Sequence, residues 1–129
     1  MNEAFSGEQQ ACILKTNIPN DDNTFFDYTV DGGNDTMDKI FILSILEAEL
    51  YFNSDYERQA EDTQYAIEQG ASVTHDEYEP IPKGIWWLRS PGTNNEHAAT
   101  VDRSGEISYF GGFVEYDHCV VRPAMMVSF

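Results

Sequence analysis

Basic residues are scarce in this chain: seven lysines and arginines stand against 23 aspartates and glutamates, for a formal charge of −16. The seven (Lys15, Lys39, Arg58, Lys83, Arg89, Arg103 and Arg122) are scattered instead of forming a stripe. A phosphate backbone is bound by clustered cations that displace its counterions, so nucleic acid is excluded as a ligand class. Long apolar runs are also missing. The longest, residues 40–46, is interrupted by Ser44 and falls far short of the roughly 20 residues of a membrane span, so no membrane insertion is expected. Met1 is followed by Asn2, Glu3 and Ala4, neither a basic nor an apolar lead, so no secretory signal is read here and any export would come through a larger parent chain or another route. Cysteine is limited to Cys12 and Cys119 without a CxxC spacing, which argues against zinc and thioredoxin-type chemistry. One long-range disulfide and two separate thiols both remain open.

Catalytic and cofactor signatures are equally sparse. The three histidines, His75, His97 and His118, do not share the i, i+3 or i+4 spacing of a helical metal pair, and no metal site is expected from them. The chain has no G-x-S-x-G and no glycine loop of the phosphate-cradling kind, so neither an activated serine nor a nucleotide cofactor is indicated. Asp31-Gly32-Gly33-Asn34-Asp35-Thr36 offers oxygen ligands around glycines but lacks the EF-hand order. It reads as a turn whose side chains satisfy backbone amides, with calcium as the competing reading.

What is present is enough for a core. A chain of 129 residues with 41% hydrophobic and 13% aromatic residues fits a single domain that buries about two thirds of its unfolded surface. The acidic excess reads as a well-solvated surface. Ser6-Gly7-Glu8-Gln9 has capping-box spacing and predicts a first helix over residues 7–16. Residues 39–43, short and rich in β-branched and aromatic side chains, predict a buried strand that turns at Ser44-Ile45-Leu46-Glu47 into a helix over 45–52. Ser54 and Thr63 open two further short helices, with Gly70 closing the second. Residues 17–23 and 31–35 read as loops, and residues 71–84 as an irregular connector. Strands follow at 85–89, 97–102, 106–110 and 120–128, separated by Pro-Gly, Arg-Ser-Gly and Gly-Gly turns. The expected class is α+β: a helical half (5–70), the connector, and a twisted antiparallel β-meander (85–129).

Trp86-Trp87-Leu88-Arg89-Ser90-Pro91-Gly92 and Val121-Arg122-Pro123-Ala124 are the most specific stretches. With Asn34-Asp35-Thr36, residues 38–44, Glu47-Ala48, Tyr51-Phe52, Ala98-Ala99 and Gly105, they follow the order of a bacterial and phage domain family of unknown function, which this chain resembles over nearly its whole length. That family is similar to the C-type-lectin-like fold of formylglycine-generating enzymes and of the variable proteins of diversity-generating retroelements. The resemblance implies further sequence upstream, including a first strand, and a glycine where this chain has Val120. It also implies a bacterial surface or phage setting. The cysteine pair on which the formylglycine-generating enzymes depend is not matched, since only Cys119 lies in that region, so their activity does not transfer.

Read from the residues alone, the signature positions are framework. Trp86 and Leu88 alternate with Trp87 and Arg89, so one pair faces the core and the other a second layer or the surface. Arg89 and Arg122 lie among apolar neighbours and are each expected to pair with a carboxylate. Pro123, lacking an amide donor, belongs at a strand start, an edge or a bulge. Between these positions lie Thr93, Asn94, Asn95, His97, Ser108, Tyr109, Phe110, Phe113, Tyr116, Asp117, His118 and Cys119. Rigid aromatics and short polar groups on turns suit a contact surface. Tyr109, Phe110, Phe113 and Tyr116 are expected as anchors, and Asn94, Asn95 and His97 as adjustable polar contacts. All twelve residues are reachable by randomising adenines in asparagine codons, as the resembled retroelement systems do; Glu96 and Glu115 are not. The expected function is a non-catalytic module binding a glycan or a surface protein. A divergent enzyme of the formylglycine-generating type and a structural spacer are the alternatives, and oligomeric state stays open.

Overall fold

A hydroxyl side chain starts each helix. In the computed structural model, which describes residues 4–71 and 82–129, the N-caps are Ser6 for α1 (Gly7–Cys12), Ser44 for α2 (Ile45–Tyr51), Ser54 for α3 (Asp55–Arg58) and Thr63 for α4 (Gln64–Glu68). At α1 and α2 the box is reciprocal, Gln9 and Glu47 accepting from the cap amides. The first helix stops four residues earlier than its apolar pattern predicts because Ile13 leaves it to form a buried antiparallel bridge with Val127. At the end of α4, Gly70 takes a φ of +98°, its N–H and that of Ala71 donating to Ile67 and Ala66, the left-handed stop that glycine allows.

The strands are β1 (Thr16–Ile18), β2 (Thr36–Asp38), β3 (Phe41–Ile42), β4 (Trp86–Pro91), β5 (His97–Val101), β6 (Ile107–Phe113) and β7 (Pro123–Ala124). β4, β5 and β6 form the expected antiparallel meander. The expected strand over 120–128 is broken instead into a parallel bridge of Val120 to Trp86, the two-residue β7 against β3, and the bridge of Val127. Pro123 opens β7, as its missing donor requires. A β1–β2 ribbon takes the first two residues of the expected 17–23 loop; β2 is wholly exposed, so no alternation of apolar residues announced it. Of the expected connector, residues 72–81, with His75, lie outside the described residues.

Trp86, Leu88 and Ser90 of β4 are buried while Trp87, Arg89 and Pro91 are half-buried, a period-two pattern. The buried face joins Leu43, Ile45, Ala48, Ala99, Val101 and Ile107 in one cluster, so α2 packs on the meander. Two hydrogen bonds lock that contact: Arg89 N–H to the Leu43 carbonyl and Ile45 N–H to Ser90 Oγ, both 2.9 Å. The observed class is α+β, with short helices and antiparallel sheets.

Candidate functional site

Arg89 and Glu47 tie β4 to the start of α2. The guanidinium meets the carboxylate with both nitrogens, at 2.5 and 2.8 Å, and donates also to the carbonyls of Ile42 and Pro19. Burial alone would raise the Glu47 carboxyl; the Arg89 and Ser44 hydrogen bonds and the Arg89 charge outweigh it and hold the group below its ordinary value. Arg122 corrects the expectation of a second such pair. It faces no carboxylate among the described residues: its guanidinium lies 4.7 Å from the Phe52 ring and 5.1 Å from the Trp86 ring and donates to the Arg58 carbonyl. Desolvation lowers its pKa, and ring faces supply the attraction that a carboxylate would otherwise provide.

The β5–β6 hairpin places the residues between the framework positions. Gly111 has a φ of +70°, and a Cβ there would lie 1.9 Å from the Ala98 carbonyl oxygen. The register shifts between Ala98 and Thr100 at this point, the bend of a glycine-dependent bulge. Beyond it the hairpin pairs His97 with Phe113, whose rings lie 4.1 Å apart. Phe113 meets Tyr116 at 5.5 Å and Tyr116 meets His118 at 5.0 Å. His97, Phe113, Tyr116 and His118 thus form a continuous ring ladder that is exposed or half-buried. Asn94 orders the adjoining turn, its Oδ1 accepting from Glu96 N–H and contacting His97 Nδ1 at 2.7 Å. Asn95 and Asp117 are exposed.

Before the bulge the arrangement is different. Tyr109 is stacked on Phe25 at 4.1 Å with the rings 7° from parallel, and its hydroxyl donates to Glu49. That hydrogen bond, with burial, pushes the hydroxyl pKa up to about 12. Phe110 packs edge-on against Phe26 at 4.9 Å, Phe26 stacks on Tyr28, and the Tyr28 hydroxyl lies 2.7 Å from Thr93 Oγ1. Ser108 Oγ accepts from Gly111 N–H inside the bulge. The four expected anchors therefore divide: Phe110, Phe113 and Tyr116 are 61%, 38% and 45% exposed, whereas Tyr109 is tied into the molecule.

Sequence reasoning missed Phe25, Phe26 and Tyr28. Their density, three aromatics in four residues between turn-forming segments, was the available signal. What pins them was not legible: buried Asn23 donates to the carbonyls of Pro91, Gly92 and Tyr109, 68 to 86 residues away.

Elsewhere, Asp31 Oδ1 accepts from Gly33 N–H and Asp35 Oδ1 from Asn20 N–H, the turn chemistry expected of that loop. Cys12 and Cys119 are free thiols, the latter raised in pKa by burial. Among the described residues no three His, Cys, Asp or Glu side chains gather as a metal site, and no helix is long and apolar enough to cross a membrane. Searches of curated proteins and of solved structures return no match. A family model does match, over residues 1–129, and the chain belongs to that family, described as domain of unknown function (DUF6273).

Proposed function

We propose that this chain is a non-catalytic ligand-binding module of C-type-lectin-like type, displayed by a bacterial surface or phage protein. Its contact surface is built on the β5–β6 hairpin and the segment that follows. The observation that carries this reading is the ring ladder His97–Phe113–Tyr116–His118, continuous and open to solvent, with Phe110 exposed on the same hairpin. Large rings held on a rigid hairpin give contact area at little entropic cost, and the Asn94 turn beside them offers polar groups. The short helices followed by a consecutive meander, with the chain end returning beside β4 at Trp86 and beside β3 at Phe41, support the fold assignment. The ligand class is a glycan or a surface protein.

The test is glycan- and protein-array binding, followed by the triple variant Phe110→Ala, Phe113→Ala, Tyr116→Ala. Expected is a loss of at least about tenfold in affinity for the array ligand, as anchor truncation gives, with an unchanged circular dichroism spectrum. Undiminished binding by the folded triple variant overturns the reading.

A further inference from the structure

A second feature adjoins the hairpin on the far side of Tyr109. A cleft of about 270 Å³ lies between the Asp21–Phe25 segment, the first turns of α2 and β6. That volume is just below the ~300–1,000 Å³ of small-molecule sites and suits one long side chain. Its walls are apolar and aromatic: Ile45, Leu46, Phe25 and Tyr109. Phe25 and Leu46 are more than half exposed there, at 57% and 58%. Its polar floor is already satisfied, Ser90 Oγ accepting from Ile45 N–H and Asn23 donating to three carbonyls, so the floor asks for no hydrogen-bonding ligand.

The rim carries the charge. Asp21, Asp22 and Glu49 line the cleft and are exposed, and none of its described lining residues is basic. Glu49 uses one oxygen on the Tyr109 hydroxyl and Asp22 one on Gly32 N–H, and the other oxygen of each has no partner among the described residues. The one-sidedness is local as well as global: seven cations are spread over the chain and none lines this cleft.

We infer that the cleft receives an arginine side chain of a partner protein, its stem against Leu46 and the Phe25–Tyr109 rings and its guanidinium against Glu49 and Asp22. Arginine fits better than lysine because its planar, weakly hydrated head both stacks on rings and meets carboxylates with paired donors. The inference rests on the reading of this half of the molecule as a binding surface and gives its protein ligand a basic contact.

The test titrates the isotopically labelled full chain, by NMR, with end-blocked Gly-Gly-Arg-Gly-Gly and with its norleucine and lysine counterparts, to 20 mM peptide at about 20 mM salt. Expected are shift changes confined to Asp22, Phe25, Leu46, Glu49 and Tyr109, with the norleucine peptide at least about tenfold weaker. Salt at about 300 mM should weaken the arginine peptide about fivefold, and Glu49→Gln and Asp22→Asn about threefold each. Asparagine at 22 still accepts from Gly32, and Glu49 is exposed, so both variants should fold, which the same spectra report. Absence of localised shifts, equal shifts with norleucine, or insensitivity to both variants overturns the inference; tighter lysine binding overturns its choice of arginine. A protein ligand from the array that is lost with the Phe110/Phe113/Tyr116 variant but unaffected by Glu49→Gln and Asp22→Asn leaves the display reading standing while removing this one.

Discussion

Glu47 does two jobs with two oxygens, and they can be separated. One oxygen accepts from Ser44 N–H to close the capping box and both meet Arg89. Their side chains are only 19% and 11% exposed, so the pair is shielded and removing one partner strands the other. Glu47→Ala should cost about 3 kcal/mol at pH 7, most of it from the uncompensated guanidinium, with about 1 kcal/mol from the lost cap. Glu47→Gln keeps a capping-box residue and should cost less. The folded-state pKa of Glu47 is lowered, so its stabilisation is present above the ordinary carboxylate value and is lost as pH falls through the folded one. Urea unfolding at pH 7 and at pH 3 checks both points: the gap between wild type and Glu47→Gln should narrow as the pH falls below the ordinary carboxylate value. A gap independent of pH would mean that the ion pair contributes nothing through its charge. Arg122 carries the complementary lesson. Two cations among apolar neighbours looked alike in sequence, and only the fold shows that one meets a carboxylate while the other lies against two rings.

At the scale of elements, the bulge in the β5–β6 hairpin decides where the aromatic residues go. An unbroken register from the Val101–Ile107 pair would set Gly111 opposite His97; the register shift at the bulge sets Phe113 there instead. Gly111→Ala should therefore destabilise by more than the ~1–2 kcal/mol of a left-handed alanine, because the added Cβ also meets the Ala98 carbonyl. Gly70→Ala, also at positive φ but with nothing within 4 Å, should show the conformational cost alone. Thermal melts of the two variants compare them directly, and equal losses would mean that the close approach is relieved without strain. Four helix starts, the meander and the inside-outside alternation of β4 were legible because caps, turns and period-two patterns are local. The β1–β2 ribbon, the β3–β7 pairing and the Asn23 anchor were not, because they depend on partners far along the chain. The same reason divides the candidate site: Phe113, Tyr116 and His97 could be named from composition, but the stacking of Tyr109 on Phe25 joins residues 84 positions apart.

The whole molecule carries −16 at neutral pH, and self-repulsion of that order opposes compaction. Buried Asp62 acts in the same direction. Neither of its carboxylate oxygens has a hydrogen-bond partner among the described residues, and burial, partly offset by the Arg103 charge, raises its pKa. A raised folded-state value means that the native chain takes up this proton before the unfolded chain does. Stability from Asp62 is then fully present below the unfolded carboxylate value and is lost as pH rises through the folded one, opposite in sign to Glu47. The two trends together place maximum stability on the acidic side of neutral, with a falling limb as pH drops below the ordinary carboxylate range and Glu47 is protonated. Raising salt from about 20 to 200 mM should stabilise at pH 7, since screening acts on the repulsive excess. Asp62→Asn, which removes a charge lacking hydrogen-bond donors, should stabilise by about 1 kcal/mol at pH 7 and merge with wild type below pH 4. Urea midpoints for both proteins from pH 3.5 to 8, at the two salt levels, check all three. If wild-type stability instead falls steadily from pH 7 downward, favourable carboxylate contacts outweigh the repulsion, and the acidic surface is held together by pairings of the Arg89–Glu47 kind rather than merely tolerated.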